Sequence, residues 1–248
     1  MKKMLKTFGV MTALLLGMST MQSCLDDDGV DYTKLMPNAL VTVKPTGDDS
    51  FYLQLDDSTT LKPSNMTSSP FGSKEVRALV NYNETREESV GKYTRTVYVN
   101  WIDSILTKST VLPLEKDNDL YYGTDPVDII KDWVTIAEDG YLTLRFRTNF
   151  GYSGTTHFVN LLVNQNPENP YEVEFRHNAK GDVGGKRADG LVAFKLNGLP
   201  DTNGKTVKLK LTWLSYDGKC SAEFNYCTRK STASSSSLAT ERGVVPLQ

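Results

Sequence analysis

The stretch that decides the fold is Trp133-Val134-Thr135-Ile136-Ala137-Glu138-Asp139-Gly140-Tyr141-Leu142-Thr143-Leu144-Arg145-Phe146-Arg147. After Asp139-Gly140, apolar Leu142, Leu144 and Phe146 alternate with Thr143, Arg145 and Arg147, the period of a strand with one face buried. An Asp-Gly pair between two such runs is a hairpin signal, because a tight two-residue turn needs positive φ at its centre. The same alternation returns in Tyr171, Val173 and Phe175 against Glu172, Glu174 and Arg176. It returns again in Val207, Leu209, Leu211 and Trp213 against Lys208, Lys210 and Thr212. Asp217-Gly218 marks a second hairpin before Ala222–Tyr226. No segment carries a helical stripe beyond two turns, so the chain reads as all-β.

Working outward, about eight strands are expected between Asp125 and Thr228, at the turn spacing of a β-sandwich. Upstream, Ala39–Lys44, Phe51–Leu55, Glu75–Tyr82, Tyr93–Ile102 and Leu106–Leu112 make about five strands, enough for a small OB-like barrel. The turn-rich Glu115–Asp119 then suggests a barrel over 37–116 and a sandwich over 117–229. The Ser-rich tail, 230–248, lacks periodicity and is expected to be disordered.

The amino terminus states an address. Lys2, Lys3 and Lys6 precede an apolar stretch, Phe8–Met18, too short to span a bilayer but suited to an export signal over 1–23. Cys24 follows, positioned for lipidation after cleavage, and Asp26, Asp27 and Asp28 open an acidic tether over 24–36. Several acyl chains on one cysteine anchor firmly, since each buried methylene contributes about 0.8 kcal/mol. An acidic run just after a lipidated cysteine looks like the signal that sends Bacteroidetes lipoproteins to the outer face of the outer membrane. Surface display is therefore expected, with the periplasmic leaflet as the alternative.

The whole chain has 28 Lys+Arg against 30 Asp+Glu, and removal of the three signal lysines leaves a mature charge of about −5. A weakly acidic protein without a basic run excludes general nucleic-acid binding. Cys220 and Cys227 flank an extended stretch and, at about 3.3 Å per residue, lie too far apart to bridge, so two unbridged, mostly buried thiols are expected.

No motif declares a reaction. His157 and His177 are expected at the surface beside turns, and a metal site joining them to Asp182 or Asp189 lacks supporting spacing. Gly151-Tyr152-Ser153-Gly154 lacks the second glycine of a nucleophile elbow. The expectation is no catalytic residue, no cofactor and no metal. An OB-like barrel can present one face to oligosaccharides, and here Arg95 and Tyr98 are the candidate ligand face, with a glycan or protein as partner. Arg145, Arg147 and Arg176 are expected to pair across strands with Glu172 and Glu174. Asp57-Ser58-Thr59 and Asp103-Ser104-Ile105 resemble the Bacteroidetes O-glycosylation acceptor, at Ser58 and Ser104.

Several motifs in one order carry a family resemblance. They include Asp132-Trp133-Val134, Glu138-Asp139-Gly140-Tyr141-Leu142, Arg145-Phe146-Arg147-Thr148 and His157-Phe158-Val159-Asn160-Leu161. Asn169-Pro170-Tyr171-Glu172-Val173-Glu174, Arg176-His177-Asn178-Ala179, Gly204-Lys205-Thr206-Val207-Lys208-Leu209 and Phe224-Asn225-Tyr226-Cys227 complete the set. Together they resemble the NigD-like lipoproteins of Bacteroidetes, associated with a bacteriocin operon. The resemblance implies an OB-like barrel followed by a β-sandwich, but no activity and no catalytic residues. The reading is a surface lipoprotein acting as a non-catalytic binding or assembly component. The alternatives are a secreted glycan or peptide hydrolase and a bacteriocin-locus accessory or immunity factor.

Overall fold

The computed structural model describes residues 32–47, 50–86, 91–151, 154–164 and 166–229. The export signal, Cys24, the three aspartates and the tail lie outside the described residues. Five strands close a barrel in the order β1-β2-β3-β5-β4. These are β1 (Ala39–Pro45), β2 (Phe51–Gln54), β3 (Thr60–Pro63), β4 (Val76–Glu84) and β5 (Arg95–Ser104). Alternate residues fill the interior, with Val41, Val43, Phe51, Leu53, Leu61, Val80, Val97 and Val99 packed together. Burying each such side chain stabilises the fold by roughly 1.5–3 kcal/mol.

The fifth barrel strand differs from expectation. Thr60–Pro63 closes the ring, antiparallel to β2 and parallel to β5. The stretch beginning at Leu106 instead forms β6 (Leu106–Ser109) and joins a sandwich sheet, parallel to the later strand Lys186–Lys195. Four residues ending in proline carry too little alternation to announce a strand, and only closure of the ring reveals it.

Beyond a five-residue helix, α1 (Asn118–Tyr122), come eight strands. They are β7 (Asp128–Ile130), β8 (Ile136–Glu138), β9 (Tyr141–Phe150) and β10 (Phe158–Leu162), then β11 (Glu172–Asn178), β12 (Lys186–Lys195), β13 (Val207–Ser215) and β14 (Gly218–Tyr226). One sheet runs β6-β12-β9-β7 with β8 on β9, and the other runs β10-β11-β13-β14. Phe146, Phe175, Phe194, Leu211 and Trp213 fill the space between them.

Both hairpins form. Asp139 and Gly140 take φ of 48° and 75°, as a two-residue turn with both centres left-handed requires. The second is shifted by one residue from expectation. Ser215 pairs with Gly218, so Tyr216-Asp217 is the loop, while Gly218, at φ 109°, opens β14. Cys220 and Cys227 are unbridged and largely, though not fully, buried, as expected. Among the described residues no helix is long and apolar enough to cross a membrane.

Candidate functional site

The seam between barrel and sandwich is where strand periodicity becomes chemistry. Val41 and Val43 of β1 face the barrel interior, so Thr42 and Lys44 face out. On β4, Ala78 and Val80 face in, which turns Arg77 and Leu79 outward. In an isolated barrel these polar side chains would be solvated. Here the sandwich covers them, and Thr42 and Arg77 are fully buried.

Each buried charge meets a partner from the hairpin β8–β9 or from the end of the described chain. Lys44 Nζ lies 2.8 Å from Asp139 Oδ1. The Arg77 guanidinium donates to Thr42 Oγ1 at 3.0 Å, Thr143 Oγ1 at 3.4 Å and Glu138 Oε2 at 3.4 Å. Arg229 donates to the Asp139 carbonyl and to Glu75 Oε1, and Tyr141 donates its hydroxyl to the same Glu75 oxygen at 2.6 Å. Beside these charges Leu40, Ile105, Val134, Tyr141 and Ala193 form an apolar cluster shared by both domains.

Electrostatics follow from burial and pairing. Desolvation holds Arg77 and Lys44 below their ordinary values, opposed by Glu138 and Asp139 for Arg77 and by Asp139 for Lys44. Burial pushes Glu75 up, but hydrogen bonds from Arg229 and Tyr141 outweigh it and hold the carboxyl below its usual value. Burial, reinforced by Glu75, raises the Tyr141 phenol.

Along this seam runs a groove of about 420 Å³, lined by Glu75, Tyr141, Lys195, Asn197, Asp201 and Tyr226 among others. That volume falls within the range that holds a small ligand or a protruding side chain. Glu75 comes from the barrel side and the others from the sandwich. The side chains of Lys195 and Asn197 make no hydrogen bond or ion pair with described residues, so their capacity faces the groove.

The structure corrects the reading of the histidines. His177 is 2% exposed, and the side chains of His157 and Asp182 are only 5% and 9% exposed. His157 Nδ1 lies 2.9 Å from His177 Nε2, and His157 Nε2 lies 3.2 Å from Asp182 Oδ2. Asp182 also accepts the Gly151 amide at 2.9 Å. The two carboxylates considered with the histidines part company. Asp182 joins the histidines, whereas Asp189 sits in β12 and binds Arg145 and Arg147. Among the described residues no group of three metal-ligating side chains has the arrangement to hold an ion. Burial, then the charge of His157, pushes His177 down to about 4, while Asp125 pulls weakly the other way.

The expected arginine pairing is also revised. Arg145 bonds Asp132 and Asp189, and Arg147 bonds Asp189, so neither meets Glu172 or Glu174. Arg176 does bond Glu174, two residues back on its own strand, and also Asp119. Glu172 takes Lys210 instead. Asp132 explains one sequence motif, since its other oxygen accepts the amides of Val134 and Thr135 and shapes the turn into β8.

Arg95 pairs with Glu84 across the β4–β5 ladder, and Tyr98 stands 50% exposed on β5. Val97 and Val99 fill the barrel, but Trp101 does not, donating instead to the Lys34 carbonyl at 2.5 Å. Ser58 donates to Asp56 Oδ1, and Ser104 is exposed at the end of β5. The seam groups escaped sequence reasoning because a Thr, Lys or Arg on the outward face of a barrel strand reads as solvated. The one available signal was Arg77 and Lys44 within otherwise apolar strands.

Comparison with known proteins matches both halves. The NigD-like N-terminal OB domain fits residues 40–105, and the NigD-like C-terminal beta sandwich domain fits 110–226. A Parabacteroides distasonis ATCC 8503 structure, described in connection with a toxin, is 38% identical with a TM-score of 0.65, covering 77% of this chain and 92% of that one. A protein of unknown function from Bacteroides vulgatus ATCC 8482 is 24% identical at TM-score 0.63, covering 84% and 93%. A NigD-like immunity protein from Bacteroides caccae ATCC 43185 is 22% identical at TM-score 0.55, covering 76% and 96%. The last two share the fold. No curated protein matches.

Proposed function

Because this chain belongs to the NigD-like family, matched in both of its domains, we propose that it is an exported lipoprotein acting without catalysis as a binding or assembly component. Cys24 carries the anchor, and the acidic run Asp26–Asp28 directs it to the outer membrane and the cell surface. Replacing Cys24 with alanine moves the protein to the soluble fraction while its unfolding transition is unchanged. A Cys24→Ala chain that still sediments with membranes contradicts the anchor.

The observation that carries the binding reading is the seam groove. Its lining includes the Arg229–Glu75 ion pair, which joins the end of the described chain to the barrel side, and such cross-links favour a preorganised shape that lowers the cost of binding. Lys195 and Asn197 offer unspent polar groups beside the rings of Tyr141 and Tyr226. A protein or glycan partner fits this mixture better than nucleic acid does, given the acidic mature charge. Lys195→Glu with Asn197→Arg is expected to reduce partner capture on intact cells at least tenfold, with thermal stability unchanged. Equal capture by the variant removes the groove from the account. Arg95 and Tyr98 remain the second candidate face.

A bacteriocin-locus accessory or immunity role is favoured by the relatives, one described in connection with a toxin and another as an immunity protein. Under that reading, deletion of the gene raises the sensitivity of the cell to its neighbours' bacteriocin, and unchanged sensitivity counts against it.

A further inference from the structure

One sheet of the sandwich ends in β6 and, beyond β9, in β7 and β8, while the other ends in β10 and β14. An outer strand exposes a row of unpaired amides and carbonyls unless something shortens or covers it. β7 and β8 have three residues each and β6 four, too short to template a long pairing. β10 is covered on its outer side, where the Val111 amide donates to the Leu161 carbonyl, the Val163 amide to the Val111 carbonyl, and Lys108 to the Val159 carbonyl. β14 has none of these protections. It runs for nine residues, pairs along its whole length with β13, and carries no proline.

The direction of each backbone group on β14 follows from the hairpin. Ser215 and Gly218 close the two-residue turn, so that pair exchanges hydrogen bonds, and alternate pairs after it do the same: Trp213 with Cys220, Leu211 with Ala222, Leu209 with Phe224. The intervening β13 residues face the other way, since the Lys210 amide donates to the Tyr171 carbonyl and the Leu214 carbonyl accepts from Val127. On β14 the amides and carbonyls of Lys219, Ser221, Glu223 and Asn225 therefore point away from β13. Among the described residues they make no hydrogen bond. The same four residues are exposed on the solvent face, while Cys220, Ala222 and Phe224 pack against the core. β8 lies beside β14 but pairs only with β9.

A free edge accepts any extended segment, but the side chains on this one select a partner. Lys219 and Glu223 stand on one face with the small Ser221 midway between them. Turned about a two-fold axis through Ser221, a second β14 lies antiparallel to the first, with Ser221 opposite Ser221 and each Lys219 opposite the other copy's Glu223. That register sets outward-pointing residues against outward-pointing residues, so each pair can exchange both backbone hydrogen bonds. A slip of two residues keeps those bonds but sets Lys219 against Asn225 or Ser221 and loses both ion pairs. A slip of one opposes outward groups to inward ones. We propose that β14 is the contact strand of a homodimer, in which two copies of this chain join by antiparallel β14–β14 pairing centred on Ser221.

The test is analytical sedimentation of the mature chain carrying Cys24→Ala, at concentrations up to about 100 µM, which detects a dimer of micromolar affinity. A reversible dimer is expected. Glu223→Lys sets lysine against lysine at both symmetric positions and is expected to weaken it about tenfold or more, and adding Lys219→Glu to that variant restores it. Ser221→Cys is expected to form an intermolecular disulfide under mild oxidation, because the paired Cα atoms lie about 5.5 Å apart, whereas Glu223→Cys does not face itself and stays unlinked. The parent chain, which keeps Cys220 and Cys227, controls for those thiols, and thermal melting checks that each variant is folded. A monomer at every concentration leaves the edge to a strand of another protein and overturns the proposal. So does a dimer indifferent to the charge variants, or one cross-linked through position 223 rather than 221.

Discussion

Arg77→Met is expected to destabilise the protein by about 3–5 kcal/mol, the usual result of removing one partner from a buried ion pair. The guanidinium is 0% exposed, and three side chains from three strands converge on it. Methionine fills much of its volume but leaves the Glu138 carboxylate, 6% exposed, without that cation. For a chain of this size the melting temperature falls about 10 °C. The effect is expected to be largely relieved in Arg77→Met with Glu138→Leu, because two apolar groups in place of a buried pair are often neutral or better. Urea unfolding of the wild type, both single variants and the double variant measures the coupling. Simple addition of the two single costs contradicts a direct pair.

Acid is expected to weaken the fold through His177. Its pKa lies near 4 in the folded protein against about 6.5 when unfolded. A lowered folded value means that the unfolded chain binds the proton first as pH falls. The stabilisation is therefore fully present above about pH 6.5 and is lost as pH falls through about 4, a total of roughly 3 kcal/mol. Burial is the main cause, and the adjoining His157 adds to it. His177→Gln keeps a donor toward His157 without a titrating ring. The stability gap between wild type and this variant is expected to shrink by that amount between pH 7 and pH 4, whereas a pH-independent gap contradicts the assignment. Carboxylates titrating in the same range cancel in the difference.

Much of the architecture was legible because strands with one wet face write their period into the chain. Leu142 to Arg147 and Val207 to Trp213 showed both their faces and their turns, and the family motifs settled the class. Thr60–Pro63 was not legible, since its pairing is dictated by closure of the barrel rather than by its own pattern. Leu106–Ser109 was legible as a strand but not as a sandwich strand, because edge partners are chosen in three dimensions. The site was the least visible part. His157 and His177 stand 20 residues apart and Arg77 and Glu138 61 apart, and nothing local marks either pair as buried. Burial of polar groups on an outward strand face appears only when a second domain covers it.

Lys44, Arg77 and Arg229 tie the barrel to the hairpin β8–β9, and the groove inherits the position of that hairpin. If the groove receives a partner, as proposed, that surface belongs to the two domains together, and neither domain presents it alone.

The most direct test of that claim is site-specific photo-crosslinking on living cells, with the reactive side chain placed at Asn197 in the groove or at Tyr98 on the barrel. A discrete adduct is expected from position 197, lost when Lys195 is changed to glutamate, and none from position 98. An adduct from position 98 with none from 197 would place recognition on the barrel face and contradict it.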